Sequence, residues 1–210
     1  MTTKQELWNE IIHARRQCDV WDYSKEFSKE LLIEILEEAM ERVPSKQNRM
    51  PYQISILDWS DPEYRNALYE FAVTPNDQDE GGAHNPQVLA PWLLCFRTNR
   101  RNKDMLGHVE VGMLASMIIH GAKVRGIDAG FCRCWDRYDA AITERLGLEE
   151  DMESFAFFLG LGHGTKEWQQ RVTATMENPV TGETIWSGIS DLPEYERNPR
   201  PRFEDIYRFV

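Results

Sequence analysis

Side chains able to do chemistry gather at four places in this chain. Arg15-Arg16-Gln17 puts two adjacent guanidiniums at the end of a predicted helix, and Arg200-Pro201-Arg202 puts two more near the far end. A guanidinium is a planar fork of donors that meets phosphate oxygens two at a time, so such pairs suit a doubly charged anion as well as a solvated surface. Pro44-Ser45-Lys46-Gln47-Asn48, followed by Met50-Pro51-Tyr52, is a polar turn between a helix and a strand. Its Ser and Asn can satisfy local backbone groups, which is ordinary turn chemistry. Cys132-Arg133-Cys134 offers two thiols one residue apart, which read either as packing or as a thiol or metal site. Zinc takes about four ligands, and no second Cys or His pair stands at a spacing that completes the set. His13, His84, His108, His120 and His163 show neither metal spacing nor an obvious nucleophile partner. Neither common glycine-rich phosphate loop occurs.

Composition narrows the function further. With 210 residues, 41% of them hydrophobic, the chain is one domain or a compact pair with enough apolar mass to fold. Thirty-five acidic against 24 basic residues leave a net charge of −11, which opposes general nucleic-acid binding but permits a local basic pocket for one phosphorylated small molecule. Met1 to Glu10 is polar and has no secretory pattern. The longest apolar stretch, Val111 to Ala122, is bounded by Glu110 and Lys123 and falls short of the roughly 20 residues that span a bilayer, so it reads as a buried helix. Cys18, Cys95, Cys132 and Cys134 show no disulfide framework, and a cytoplasmic, reduced chain is expected.

The elements that must position these groups follow from periodicity. Lys4 to Arg16 suits an amphipathic helix. Leu31, Leu32, Ile35, Leu36, Ala39, Met40 and Val43 form the stripe of a second, with Ser28 as its cap and Pro44 as its stop. Tyr52 to Ile56 alternates as a strand, and Asp61-Pro62 opens a short helix through Phe71. Thr74 to Pro86 reads as a loop, and Trp92 to Phe96 as a strand buried on both faces. Gly107 to Val124 is a long helix, apolar nearly all round, that must be covered on several sides. Phe131 to Trp135 and Phe155 to Leu161 read as strands, and Tyr138 to Leu146 as a helix ended by Gly147. From Thr173 onward, four prolines predict an extended arm. The order implies a layered α+β or α/β domain, with a second subunit as the economical cover for the arm and the long helix.

Taken in order, these segments resemble the nitroreductase-like flavoproteins, homodimers that bind FMN. Arg15-Arg16-Gln17 resembles the family's opening basic pair. Pro44-Ser45-Lys46-Gln47-Asn48-Arg49-Met50-Pro51-Tyr52 resembles its Pro-Ser-x-x-Asn-x-Gln-Pro-Trp, and Gln87-Val88-Leu89-Ala90-Pro91-Trp92 its Gln-Val-x-x-Ala-Pro. Val111 through Gly126-Ile127, Gly160-Leu161-Gly162, and Arg200 with Arg202 match later elements, so the resemblance runs through nearly the whole chain.

The resemblance implies a three-layer α/β/α sandwich with a mixed, mainly antiparallel sheet. It implies one domain over residues 1–210, an extended arm over 173–210, and a long central helix at a homodimer interface. It implies FMN, with Arg15, Arg16, Arg200 and Arg202 around the phosphate and Gln17 where the family usually has Ser or Thr. Pro44, Ser45, Lys46 and Asn48 would run along the ring system, and Asn85, or Gln87, would reach its pyrimidine edge. Cys132, Arg133 and Cys134 would back one face, with a backbone N–H toward N5. NAD(P)H would supply the electrons and a small nitroaromatic- or quinone-like acceptor would take them, with no obligatory side-chain acid or base. Neither nucleic acid nor membrane is implied as a partner. Asp19 stands where many members carry a cation near the ring, which makes an FMN-binding protein with reduced redox activity the alternative.

Overall fold

The computed structural model describes residues 3–14, 18, 20–61, 86–99, 106–132, 144, 153–165, 175–177 and 184–187. Helix α1 (Lys4–Ala14) starts from a reciprocal cap: Glu6 N donates to Thr3 Oγ1, and Thr3 N donates to Glu6 Oε2 at 2.6 Å. Helix α2 (Lys29–Arg42) is capped by Ser28, whose side chain accepts from Leu31 N at 3.2 Å. It buries Leu32, Ile35, Leu36 and Ala39, and ends where Val43 turns extended before Pro44. Helix α3 (Leu106–Val124) buries Val111, Leu114, Ala115, Ile118 and Ala122. It closes through Gly126, whose φ of 76° suits glycine, so that Ile127 N reaches back to Ala122 O at 2.9 Å. Arg125 ties α3 to α2, donating to Glu34 Oε1 and Glu38 Oε2, each at 2.7 Å.

Strands β1 (Tyr52–Asp58), β2 (Trp92–Asn99), β3 (Asp128–Cys132) and β4 (Glu153–Gly162) form a sheet in the order β1-β2-β4-β3, and every described pairing is antiparallel. Central β2 is the continuous apolar run, and Leu93, Leu94, Cys95 and Phe96 are all buried. The two faces of the sheet are built differently. Toward α2 and α3 it presents Leu94, Phe96, Ala129, Phe157, Leu159 and Leu161, the main core. At about 1.5–3 kcal/mol for each large side chain removed from water, that face supplies most of the stabilisation. Toward the other side it presents Gly130, Gly160 and Gly162, which admit backbone directly. There lie Cys18, residues 20–22 and the 3-10 turn Pro86–Leu89. Cys18 N donates to Ala129 O at 2.9 Å, Asp22 N to His163 O at 2.8 Å, and Thr165 N to Val20 O at 3.1 Å, which stitches the segment across the ends of two strands.

Strand β3 begins at Asp128, three residues before the predicted start at Phe131, because a buried carboxylate fits there. Asp128 accepts from Lys123 Nζ at 2.8 Å and from Gly164 N at 2.9 Å. Strands β1, β2 and β4 also run beyond their predicted bounds, and β5 (Thr175–Glu177) pairs with β6 (Thr184–Ser187) as extended chain, as the proline-rich arm predicts. The predicted helix from Asp61 to Phe71 and, apart from Glu144, that from Tyr138 to Leu146 lie outside the described residues. No described helix is long and apolar enough to cross a membrane.

Candidate functional site

The Pro44–Met50 turn is held by a residue the sequence reading used only as the boundary of an apolar run. Glu110, in the first turns of α3, is 1% exposed. Ser45 Oγ donates to Glu110 Oε2 and Lys46 N donates to Glu110 Oε1, both at 2.8 Å, while Met50 N donates to Ser45 Oγ at 3.0 Å. Most of the hydrogen-bonding capacity of the Ser45 hydroxyl is thus used inside the protein. The backbone between is left-handed at three non-glycine residues: Gln47 (φ 58°), Asn48 (φ 56°) and Met50 (φ 42°). Asn tolerates that region, whereas Gln and Met there cost on the order of 1–3 kcal/mol each, and such clusters persist only where the surroundings over-determine them. The result is an outward loop presenting the exposed side chains of Lys46, Gln47 and Asn48.

A second corner forms on the glycine face of the sheet. A Cβ at Gly130 would lie 2.1 Å from Cys18 O and 3.1 Å from Gln87 Cβ. Cys132 follows on the same face and is buried. Three predicted site segments lead directly into this corner: Arg15, Arg16 and Gln17 precede Cys18, Asn85 precedes Pro86, and Arg133 and Cys134 follow Cys132. Those six residues, and Arg200 and Arg202, lie outside the described residues, as does Asp19. Gln87 Oε1 is buried without a hydrogen-bond partner among the described residues, a spare acceptor beside the corner. The Cys18, Cys95 and Cys132 thiols are buried and none is in a disulfide, an environment in which cysteine behaves as a small hydrophobe. Among the described residues no three His, Cys, Asp or Glu side chains cluster as a metal site.

The two corners are far apart in one copy. The turn leads into β1 and packs on the α3 side, whereas Cys132 ends β3 at the opposite edge and faces the other side. Three strand spacings, about 14 Å, separate them across the sheet alone. Between α3 and the sheet edge runs an open groove of about 490 Å³ lined by Gly112, Ala115, Ser116, Ile119, His120, Phe131 and Phe157. Phe131 packs on Phe157 with ring centroids 4.8 Å apart, yet is 40% exposed, and Val109 on the outer side of α3 is 51% exposed. Among the described residues the apolar surface of α3 is therefore only partly covered.

Two half-buried tyrosines border these sites. Tyr23 donates its hydroxyl to Leu89 O at 2.5 Å, and burial, followed by the nearby Cys18 thiol, pushes its pKa well up. Burial, with Glu110 as a second cause, raises that of Tyr52, whose hydroxyl has no hydrogen-bond partner among the described residues.

Glu110 and Gly130 were missed by sequence reasoning. The available signals were an acid in the second turn of a largely apolar helix and a glycine inside a strand.

No protein-family model and no curated protein matches the sequence. Solved structures do. The FMN- and NADPH-dependent nitroreductase NfnB from Sphigopyxis sp. strain HMH superposes with a TM-score of 0.62 at 18% identity, covering 77% of this chain and 90% of that one. A nitroreductase in complex with FMN from Exiguobacterium sibiricum 255-15 gives 0.60 at 17%, covering 79% and 90%. CLA-ER, an enone reductase of gut-bacterial fatty-acid saturation, gives 0.61 at 14%, covering 76% and 89%. The fold of this chain is the nitroreductase fold.

Proposed function

We propose that the protein is an FMN-dependent oxidoreductase that works as a homodimer, with each cofactor site shared between two copies. The observation that carries the reading is the corner at Gly130, where Cys18 and Gln87 lie on β3 and Cys132 follows on the same face; Arg15, Arg16 and Gln17, Asn85, and Arg133 and Cys134 are their near neighbours in sequence. The residues fit the group. Guanidiniums suit a dianionic phosphate, the spare Gln87 acceptor suits an imide N–H, and the glycines let the Cys18 and Gln87 backbone lie directly on the strands beside it. Separation of this corner from the Pro44–Asn48 turn within one copy favours a partner that brings its own turn to the site, and the open apolar face of α3 offers a surface for it. Bound there, FMN would take a hydride from NAD(P)H and pass reducing equivalents to a small organic acceptor of nitroaromatic or quinone type. This chain's part is to bind, orient and exclude water: Arg15, Arg16, Arg200 and Arg202 hold the phosphate, while Lys46 and Asn48 meet the ring. The buried thiols support a cytoplasmic, reducing setting.

The test is the absorption spectrum of the purified protein and its response to NADH or NADPH without oxygen. A yellow dimer that bleaches is expected. A colourless protein that takes up no added FMN refutes the reading, and a yellow protein that neither nucleotide bleaches supports the alternative of a flavin-binding protein with its redox cycle reduced, to which Asp19 points.

A further inference from the structure

The strained turn needs something to hold it, and α3 supplies it. Three left-handed residues in four positions do not persist on local preference. Within the turn the backbone bonds are Asn48 N to Ser45 O at 3.2 Å and Arg49 N to Lys46 O at 3.3 Å, both near the limit of useful length, and Tyr52 N to Met50 O at 2.8 Å closes its exit. Two more short bonds come from α3: Glu110 takes the Ser45 hydroxyl and the Lys46 amide on its two oxygens, and Ser45 Oγ passes the constraint on to Met50 N. A buried carboxylate is costly unless its lone pairs are met, and here the turn meets them. Helix and turn therefore fix each other.

We propose that Glu110 is a positioning residue for the cofactor: by clamping Ser45 and Lys46 it sets the left-handed path that aims Lys46 and Asn48 outward. The proposal rests on the flavin reading above. It ties the turn to the helix whose outer side, Val109 and Gly112 onward, is the open apolar face, so the surface offered to a second copy and the loop offered to the cofactor belong to one rigid unit. Glu110 acts through Ser45 and Lys46.

The test compares Glu110→Ala, Glu110→Gln, Ser45→Ala and the Ser45→Ala/Glu110→Ala pair, reading FMN dissociation constants and amide hydrogen exchange on the whole chain. Alanine is the best helix former, so α3 should survive the first change. Loss of charge-assisted hydrogen bonds should weaken FMN by about tenfold or more in Glu110→Ala. Glu110→Gln should recover most of it, because an amide still accepts from Lys46 N and can donate to Ser45 Oγ. The double variant should bind FMN no worse than Glu110→Ala alone, since both changes cut one chain of bonds. Faster exchange at Lys46 and Met50, with β2 and β4 unchanged, should accompany the loss. Wild-type FMN affinity in Glu110→Ala, a Gln variant as weak as Ala, or strictly additive losses would each overturn the clamp. If the wild-type chain takes up no FMN, the flavin reading fails and exchange decides alone: unaltered exchange at Lys46 and Met50 in Glu110→Ala overturns the clamp, and faster exchange confined to the turn upholds it.

Discussion

Replacing Gly130 by alanine tests the packing from which the candidate site is built. An added Cβ would sit 2.1 Å from Cys18 O and 3.1 Å from Gln87 Cβ. The closer neighbour is backbone, which no rotamer change can move aside. To reach van der Waals distance the Cys18 peptide must retreat by about 1 Å or more, and the Cys18 N to Ala129 O bond, now 2.9 Å, would pass beyond useful length. Overpacking of this kind costs about 1–3 kcal/mol and the lost hydrogen bond about 1 more, for a total of about 2–4 kcal/mol. In a chain of this size that lowers Tm by about 5–15 °C. Gly121→Ala is the control: its Cβ would meet Ile35 Cγ2 at 3.8 Å and Arg125 Nη1 at 3.9 Å, ordinary contacts inside a helix, so it should gain up to about 1 kcal/mol. Urea unfolding followed by tryptophan fluorescence measures both, Trp21 being buried in the segment that must move. Because Cys18 directly follows Arg15-Arg16-Gln17, FMN affinity should fall in Gly130→Ala and hold in Gly121→Ala. A Gly130→Ala protein within about 0.5 kcal/mol of wild type would refute the argument that backbone lies directly on this face.

Two further outcomes follow from local geometry. Gln47→Gly should raise stability by up to about 1 kcal/mol in urea titration, since relief of a left-handed glutamine exceeds the added chain entropy; a destabilised variant would contradict the strain. Because the folded-state pKa of Tyr23 lies above its ordinary value near 10, the native state holds the proton longer than the unfolded chain; its contribution is complete below about pH 10 and is lost above it, with a slope of at most about 1.4 kcal/mol per pH unit. Tyr23→Phe should abolish that part of the alkaline slope and cost about 1–3 kcal/mol at neutral pH through the unpaired Leu89 carbonyl, and an unchanged alkaline profile would remove Tyr23 as its source.

Elements whose causes lie within a dozen residues were legible in the sequence. Ser28, the apolar stripe of α2 and Pro44 are a cap, a face and a stop, and the helix keeps those bounds to within a residue. The apolar run of β2 announced a central strand for the same reason. What stayed hidden depends on partners far along the chain. Asp128 reads as a loop acid until Gly164 N is brought beside it, 36 residues on. Glu110 reads as the polar edge of a helix until Ser45, 65 residues earlier, reaches it. The Pro44–Asn48 motif was visible, but its left-handed path was not, because Gln and Met give no local reason for it.

The glycines explain why one sheet can serve both stability and a binding site. On the α2 and α3 side, Leu and Phe side chains hold the helices at the usual distance of about 10 Å and make a thick apolar layer. On the other side, which also carries Leu93, Cys95 and Phe158, the three glycines let chain lie against the sheet: Cys18 O, Gln87 O and the Pro91 ring occupy the places their side chains would take. Chain laid directly on a sheet inherits its rigidity, with backbone bonds at Ala129, Val20 and His163 to fix the register. Cys18 and Gln87, which stand one and two residues along the sequence from Gln17 and Asn85, are therefore laid on strands rather than on loops. A site that must hold a flat ring and a charged tail in fixed relation needs that kind of anchoring, because each degree of freedom left in the binding groups has to be ordered when the ligand arrives. Side chains at the three glycines would thicken this face and free the segments from the sheet without touching the core behind them. Loss of binding with little change in the α2–α3 packing is accordingly the signature that separates this arrangement from one in which the glycines only ease a tight fold.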